Sequence, residues 1–303
     1  MAKAGEIVEV DDAGARQWAG EVLRARFAEI IARREPALTS DDIEAVHALR
    51  VATRRLRSAL RSFAPLLPKK AFKNSQKDLK SIADALGAAR DQDVAIAALE
   101  KLRKKARDAV VREGLGRLID EHRAQREAAQ PGLVEALTEE NFDRLKTRFE
   151  KALDRAFALA TDAEDAPVNV AGRELIEARL TEFCDRSGAL CEPFRVKPLH
   201  ELRITAKRLR YTVELFVARW GEQIAAFAEE VAAMQTYLGE VHDADAWLAD
   251  CARRLKHNPG DQTELWLLTE FIKDRTKNYR GAVRLWSRWQ ADGFIEKLRA
   301  ALV

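Results

Sequence analysis

Two short stretches of the sequence concentrate cationic side chains at helical spacing. The first, VHALRVATRRLR at 46–57, contains four arginines, one histidine and no acidic residue. The second, LHELRITAKRLR at 199–210, begins 153 residues later and repeats the pattern. Such cationic groups donate hydrogen bonds to phosphate oxygens, and arginine is favoured where the contact is bidentate. The chemistry that these residues suggest is the binding of a polyanion.

A helix places the charged and apolar residues of each stretch on opposite faces, because the cationic positions fall within an arc of about 80° at about 100° per residue. In the first stretch these positions form a row about 21 Å long at 1.5 Å per residue. We call this row the first basic ridge, and it consists of His47, Arg50, Arg54, Arg57 and Arg61. The second basic ridge consists of His200, Arg203, Lys207 and Arg210, and Glu214 replaces the arginine at its far end.

The two ridges belong to an internal repeat. Seven of 18 positions at 46–63 are identical to those at 199–216. A second match follows at an offset of 152, with LGAARDQDV at 86–94 over LGEVHDADA at 238–246. Two matches in the same order predict a duplicated helical bundle.

The rest of the chain favours an all-α fold. Apolar residues recur at intervals of three and four, without a convincing alternating strand pattern. The 14 glycines and 8 prolines in 303 residues leave few turns, which favours long helices. We predict a first half at 1–160, an acidic linker at 161–169 and a second half at 170–303. Predicted helices in the first half run from 12 to 34 before Pro36, from an N-cap at Thr39, Ser40 or Asp41 to Leu67, from 70 to Gly87, from Asp91 onward, from 112 to 129 and from 141 to 160.

Composition limits the other classes of protein. The 52 basic and 49 acidic residues give a net charge of +3, so any polyanion site must be a local feature. No apolar run approaches the roughly 18 residues needed to span a bilayer, and the N-terminus lacks a secretory apolar region. We therefore expect a cytoplasmic protein. The three cysteines have no CxxC spacing, so neither a disulfide framework nor a zinc site is expected.

The acidic pairs that follow the second match allow more than one interpretation. Asp91 with Asp93, and Asp243 with Asp245, could hold Mg²⁺ beside phosphate. They also follow a glycine that would end a helix, where an N-cap and a first-turn acid are expected. Alternatively, these carboxylates neutralise the ridges. We favour capping and orientation of the basic side chains, and assign no metal site.

Further cations share the helical spacing. Lys73, Lys77 and Lys80 lie at i, i+4 and i+7, whereas the corresponding second-half stretch GEQIAAFAEEVAAMQTYL has no basic residue. Arg90 aligns with His242, beside the ridges. A histidine among arginines loses its proton readily unless an anion is bound, which makes polyanion binding pH-dependent.

The duplicated ridge motifs, with LGAARDQDV and LGEVHDADA behind them, resemble the CHAD domain, a histidine-containing α-helical domain. The resemblance covers nearly the whole chain and implies two four-helix bundles related by a pseudo-twofold axis. It also implies that basic residues of both halves line a central pore or cleft that binds inorganic polyphosphate, and that the protein associates with polyphosphate granules. The implied binding residues are the ridge residues His47, Arg50, Arg54, Arg57, His200, Arg203, Lys207 and Arg210. The weaker candidates are Arg61, Lys73, Lys77, Lys80 and Arg90.

Three alternatives remain open at this point. A nucleic-acid binder would use the same phosphates but usually adds stacking platforms, and 46–61 contains no aromatic residue. An enzyme would need a phosphate cradle or a paired nucleophile and base, and none is recognisable. A scaffold that neutralises its own basic faces is the third. We expect a non-catalytic polyphosphate-binding module without a cofactor.

Overall fold

The chain folds into helices throughout the part that the structure, a computed structural model, describes: residues 14–39, 43–68, 70–158 and 165–302. Within those ranges there is no β-strand, only an isolated antiparallel bridge between Gly14 and Pro167. The predicted all-α fold is therefore confirmed. The helices are α1 (Ala15–Thr39), α2 (Ile43–Ser62), α3 (Lys73–Lys105), α4 (Ala109–Ala136), α5 (Glu139–Ala158), α6 (Val168–Cys184), α7 (Val196–Trp220), α8 (Glu222–His257), α9 (Gln262–Ala291) and α10 (Phe294–Ala301).

These helices group into two compact units that divide between Val168 and Asn169. The first unit holds α1 to α5, and the second holds α6 to α10. The grouping into four-helix bundles stays a prediction. The predicted linker at 161–169 also stays a prediction, because residues 161–164 lie outside the described residues.

The core of the first unit receives the apolar face of α2, which packs between α1 and α3. Leu49, Leu56 and Phe63 are fully buried on that face. Phe63 meets Trp18 of α1 edge to face, with ring centroids 5.4 Å apart. Each such side chain contributes about 1.5–3 kcal/mol when it leaves water. Burial of this face directs the first basic ridge away from the core.

The second unit repeats the arrangement with α7. Leu202, Leu209 and Val213 are fully buried. The helix α7 packs on α8, and α8 packs on α9. Trp289 of α9 stacks on Phe294 of α10 with centroids 4.1 Å apart. The second basic ridge is consequently turned away from its own core as well.

Two of the predicted helix ends are wrong by a few residues. The first helix does not stop before Pro36 but continues to Thr39, because the lost backbone hydrogen bond falls in its last turns and Ala37 is buried there. The second helix ends at Ser62, and a short 3-10 turn over Ala64–Leu66 follows it. Of its predicted N-caps, Ser40 and Asp41 lie outside the described residues and Thr39 belongs to α1.

The predicted break between Gly87 and Asp91 is also wrong, since α3 is continuous over 33 residues. Gly87 is buried within the helix, and a Cβ there would lie 2.8 Å from Nη1 of Arg50. The glycine thus permits the close approach of a guanidinium group instead of ending a helix. At the aligned Gly239 of α8, which is likewise continuous, the nearest side-chain atom to such a Cβ is Nε2 of Gln235 at 4.0 Å.

Candidate functional site

The first basic ridge lies along α2 as predicted. Arg54 and Arg61 are exposed, whereas His47, Arg50 and Arg57 are half-buried. Arg57 forms no ion pair with any residue that the structure describes. The ridge therefore combines exposed cations with others held close to the helix surface.

The helix α3 supplies the groups that neighbour this ridge. Nη2 of Arg50 lies 3.1 Å from Oδ1 of Asp91, so the predicted role of this acid in orienting a basic side chain is confirmed. Its predicted role as an N-cap is wrong, because it lies inside a continuous helix. Arg90 lies 3.9 Å from Glu44, with its side chain only 20% exposed. Carboxylates therefore neighbour both Arg50 of the ridge and Arg90 beside it, and both guanidinium groups stay partly exposed.

His47 stands among these cations. Its Nδ1 is buried and has no hydrogen-bond partner among the described residues. Burial lowers the pKa of His47, and Arg90, Arg54 and Arg50 lower it further, against the opposing effect of Glu44. The imidazole is therefore biased toward its neutral form, and a nearby anion would restore the charged form.

The second basic ridge lies along α7. Nδ1 of His200 lies 3.1 Å from Nδ1 of His242 on α8. Nε of Arg203 is buried without a hydrogen-bond partner in the described part of the chain. Arg210 donates from Nε to Glu214 at 2.6 Å and from Nη1 to Gln235 at 2.7 Å. The far end of this ridge is therefore locally neutralised, as Glu214 suggests in the sequence.

The second acid of each pair binds an arginine outside the ridges. Asp93 accepts a hydrogen bond from Arg126 of α4 at 3.0 Å. The aligned Asp245 accepts one from Arg275 of α9 at 2.5 Å, and both of those side chains are at most 12% exposed. These duplicated pairs fasten α3 to α4 and α8 to α9. The described residues contain no group of three His, Cys, Asp or Glu side chains that could hold a metal ion.

The lysines of α3 do not all share the environment of the ridge. Lys80 pairs with Asp84 at 2.6 Å. By helical geometry Lys73 and Lys80 lie on the same face as Gly87, within an arc of about 40°, whereas Lys77 lies about 80° from Gly87. Lys77 lines a separate polar cavity of about 570 Å³ between α3, α4 and α5, together with Arg144 and Arg148.

The sequence pattern does not identify Arg126 and Arg275 as partners of the aspartates, and it places His242 outside the ridges. The two arginines lie outside both repeated motifs, so nothing in the local pattern connects them with Asp93 and Asp245. His242 was recognisable only through its alignment with Arg90.

None of the helices in the described ranges is long and apolar enough to cross a bilayer.

Each of the two units contains a helix with a cationic face opposite a buried apolar face. These features define a class of helical domain with duplicated basic surfaces. The family model of the CHAD domain matches residues 21–251. The chain therefore belongs to the CHAD domain family, and the resemblance seen in the ridge motifs is confirmed.

The chain is similar to two curated relatives from Mycobacterium tuberculosis. It is 29% identical over 217 residues to the uncharacterized protein Rv2226 of strain H37Rv. It is 28% identical over 217 residues to the uncharacterized protein MT2285 of strain CDC 1551. Each match covers 69% of this chain and 40% of the relative, so the chain spans well under half the length of these relatives.

Two solved structures share the fold. The CHAD domain from the plant Ricinus communis superposes with a TM-score of 0.69 at 22% identity, over 98% of this chain and 94% of that one. PptA from Streptomyces chartreusis superposes with a TM-score of 0.68 at 15% identity, over 91% of this chain and 100% of that one. At these identities the likeness supports the fold alone.

Proposed function

We propose that this protein binds inorganic polyphosphate through its two basic ridges, as a non-catalytic module that associates with polyphosphate granules. The observation that carries the proposal is the row of cations on one helix of each unit, set over fully buried leucines. Two duplicated aspartates of the flanking helices do not neutralise these rows, because Asp93 and Asp245 pair with Arg126 and Arg275 of other helices.

Polyphosphate suits such a row because it is a flexible chain with a negative charge on every unit and no bases. Forked guanidinium groups at successive helical turns can each contact a phosphate. Counterion release then supplies much of the affinity, so binding falls steeply as salt rises.

A nucleic-acid binder remains the second candidate. Such proteins usually stack bases on aromatic side chains. Tyr211, which directly follows the second stretch, is the one aromatic residue at 199–214, and it is only 7% exposed. Its ring is therefore poorly placed to stack on a base, which favours an inorganic polymer over a polynucleotide.

The test is a charge reversal on both ridges. In the double variant R54E/K207E, we expect isothermal titration to detect no binding of long-chain polyphosphate, while helical content and melting stay close to those of the wild type. The matched control is R117E/R253E, which makes the same charge change at exposed arginines of α4 and α8. Because it spares the ridges, this control should retain most of the affinity.

Single-stranded DNA and short polyphosphate are titrated in parallel at one physiological salt concentration. Tight, length-dependent binding of polyphosphate with weak binding of DNA is the expected result. Equal affinity for DNA would instead indicate a general polyanion binder. Unchanged binding by R54E/K207E would show that the ridges are not the site.

A further inference from the structure

Two of the three histidines of the second unit, His200 and His242, form a pair that the first unit lacks. The rings of His200 and His242 are half-buried, with centroids 4.4 Å apart and planes inclined by 46°. Their Nδ1 atoms are 3.1 Å apart, which is hydrogen-bond distance. One Nδ1–H must therefore donate to the lone pair of the other Nδ1.

The charges around this pair are unbalanced. On α7, Arg203 approaches the pair with its Nε buried and unpartnered among the described residues. On α8, Asp243 is exposed, and Asp245 is engaged by Arg275 of α9. Burial lowers the pKa of His242, and Arg203 and His200 lower it further, against the opposing effects of Asp243 and Asp245. In the free protein, His242 is therefore biased toward its neutral form.

The aligned positions of the first unit are His47 and Arg90. Arg90 keeps its charge at every pH of interest, and its guanidinium lowers the pKa of His47. The first unit thus carries a fixed cation where the second carries a titratable group. The same backbone position has two different electrostatic properties.

We propose that His242 completes a phosphate subsite with His200 and Arg203, and that this subsite takes up a proton from solvent when polyphosphate binds. The proposal rests on the proposed function. In the neutral pair, the ring that donates its Nδ1–H has a lone pair on Nε2. The proton adds to that nitrogen, so the pair then presents two Nε2–H donors to phosphate oxygens. No covalent bond to phosphorus forms.

The sign of the pH dependence follows from this exchange. The bound polyanion raises the pKa of His242 above its value in the free protein. Binding therefore strengthens as pH falls through the interval between the two values, by up to about tenfold per pH unit for one proton. Above that interval the contribution of the pair is lost. The internal phosphates of a long chain are strong acids and stay ionised throughout, so the dependence reports on the protein.

The test exchanges the residue types at the two aligned positions, Arg90 of the first unit and His242 of the second. Long-chain polyphosphate is titrated at about pH 8 and about pH 6, in two buffers of different ionisation enthalpy, which counts the protons taken up. The variant H242R copies the first unit and should bind at the higher pH at least as tightly as wild type, with less proton uptake. The variant R90H copies the second unit and should take up more protons than wild type.

His47 of the first ridge can also take up a proton. The readout is therefore the difference in proton uptake between each variant and the wild type. Equal proton uptake by wild type and H242R, with binding intact, would overturn this inference and leave polyphosphate binding standing. Unchanged proton uptake in R90H would contradict the inference that the fixed charge of Arg90 takes the place of a titratable group in the first unit. An absence of polyphosphate binding at either pH would instead overturn the proposed function.

Discussion

The two units share a framework and differ in the helix that flanks the basic ridge. In both units the cationic helix buries its leucines, and an aspartate of the following helix binds an arginine one helix further on. Beside the first ridge, however, α3 presents Arg90 and Asp91, whereas α8 presents His242 and Gln235 to the second. The shared pairs maintain helix packing, while the flanking residues set the charge of each ridge.

This comparison indicates that duplication preserved the position of the cations more strictly than their protonation behaviour. The first ridge ends in Arg61, whose Nη2 donates to Ser58 at 3.1 Å. The second ends in Glu214, which binds Arg210. A long ridge flanked by the fixed charge of Arg90 and a shorter one flanked by the titratable His242 can respond differently to salt and pH. Three sets of substitutions test what the two units share and where they differ.

The largest expected effect concerns the shared buried pair. Asp245→Ala leaves the charge of Arg275 without its carboxylate at 12% exposure, with the carbonyl of Pro193 as its remaining acceptor among the described residues, so we expect a loss of about 3 kcal/mol in the free energy of unfolding. Asp93→Ala should cost less, about 1–2 kcal/mol, because Arg126 is more exposed, at 22%. Urea denaturation followed by circular dichroism measures both losses.

The exposed Asp243 supplies the control for this measurement. Asp243→Ala should stay within about 0.5 kcal/mol of wild type, since Asp243 is exposed and forms no ion pair or hydrogen bond with a side chain that the structure describes. If Asp245→Ala behaved like Asp243→Ala, the duplicated pair would not be part of the shared framework.

The next effect concerns ridge length. Glu214→Arg releases Arg210 and adds a cation, so polyphosphate affinity should rise by about three- to tenfold and the slope of log K against log salt should steepen by about 0.7 per added contact. Arg61→Glu imposes the opposite change on the first ridge and should weaken binding. Titrations at several salt concentrations measure both slopes. Identical slopes in all three proteins would show that the ends of the ridges do not contact the ligand.

The smallest effect compares the aligned glycines. Gly87→Ala would place a Cβ 2.8 Å from Nη1 of Arg50, so this guanidinium must move, and we expect roughly a threefold loss of polyphosphate affinity. Gly239→Ala meets nothing closer than 4.0 Å and should leave affinity unchanged while stabilising its helix by about 0.5–1 kcal/mol. Calorimetry and melting on the pair would settle the comparison, and equal affinities would exclude a positioning role for Gly87.

The sequence was sufficient for those parts of the fold and site that depend on local periodicity. The spacing of His47, Arg50, Arg54 and their apolar neighbours predicted both the helix and its two faces. The family followed from the repeated motifs. Glu214 likewise predicted the shortened second ridge.

Other features depend on contacts that local pattern does not encode. Gly87 and Asp91 together resemble a helix end and a new N-cap, yet Arg50 from another helix accounts for both residues. Pro36 resembles a helix stop, but its position in the last turns of α1 makes it tolerable. The arginine partners of Asp93 and Asp245 come from helices outside the repeated motifs.

The buried aspartate–arginine pairs also bear on the order of folding. Each joins two helices that are neighbours in sequence, α3 with α4 or α8 with α9, and we call each such pair of helices a hairpin. Asp93 and Arg126 are 33 positions apart in sequence, and Asp245 and Arg275 are 30 positions apart. Asp108 and Asp261 cap the second helix of each hairpin by accepting backbone N–H groups. Contacts this local close at low entropic cost and form rapidly. We therefore expect each hairpin to assemble early and to provide the surface on which the cationic helix of that unit docks. The arginines of the cationic helix would then come close to the cations of the hairpin only in the last step.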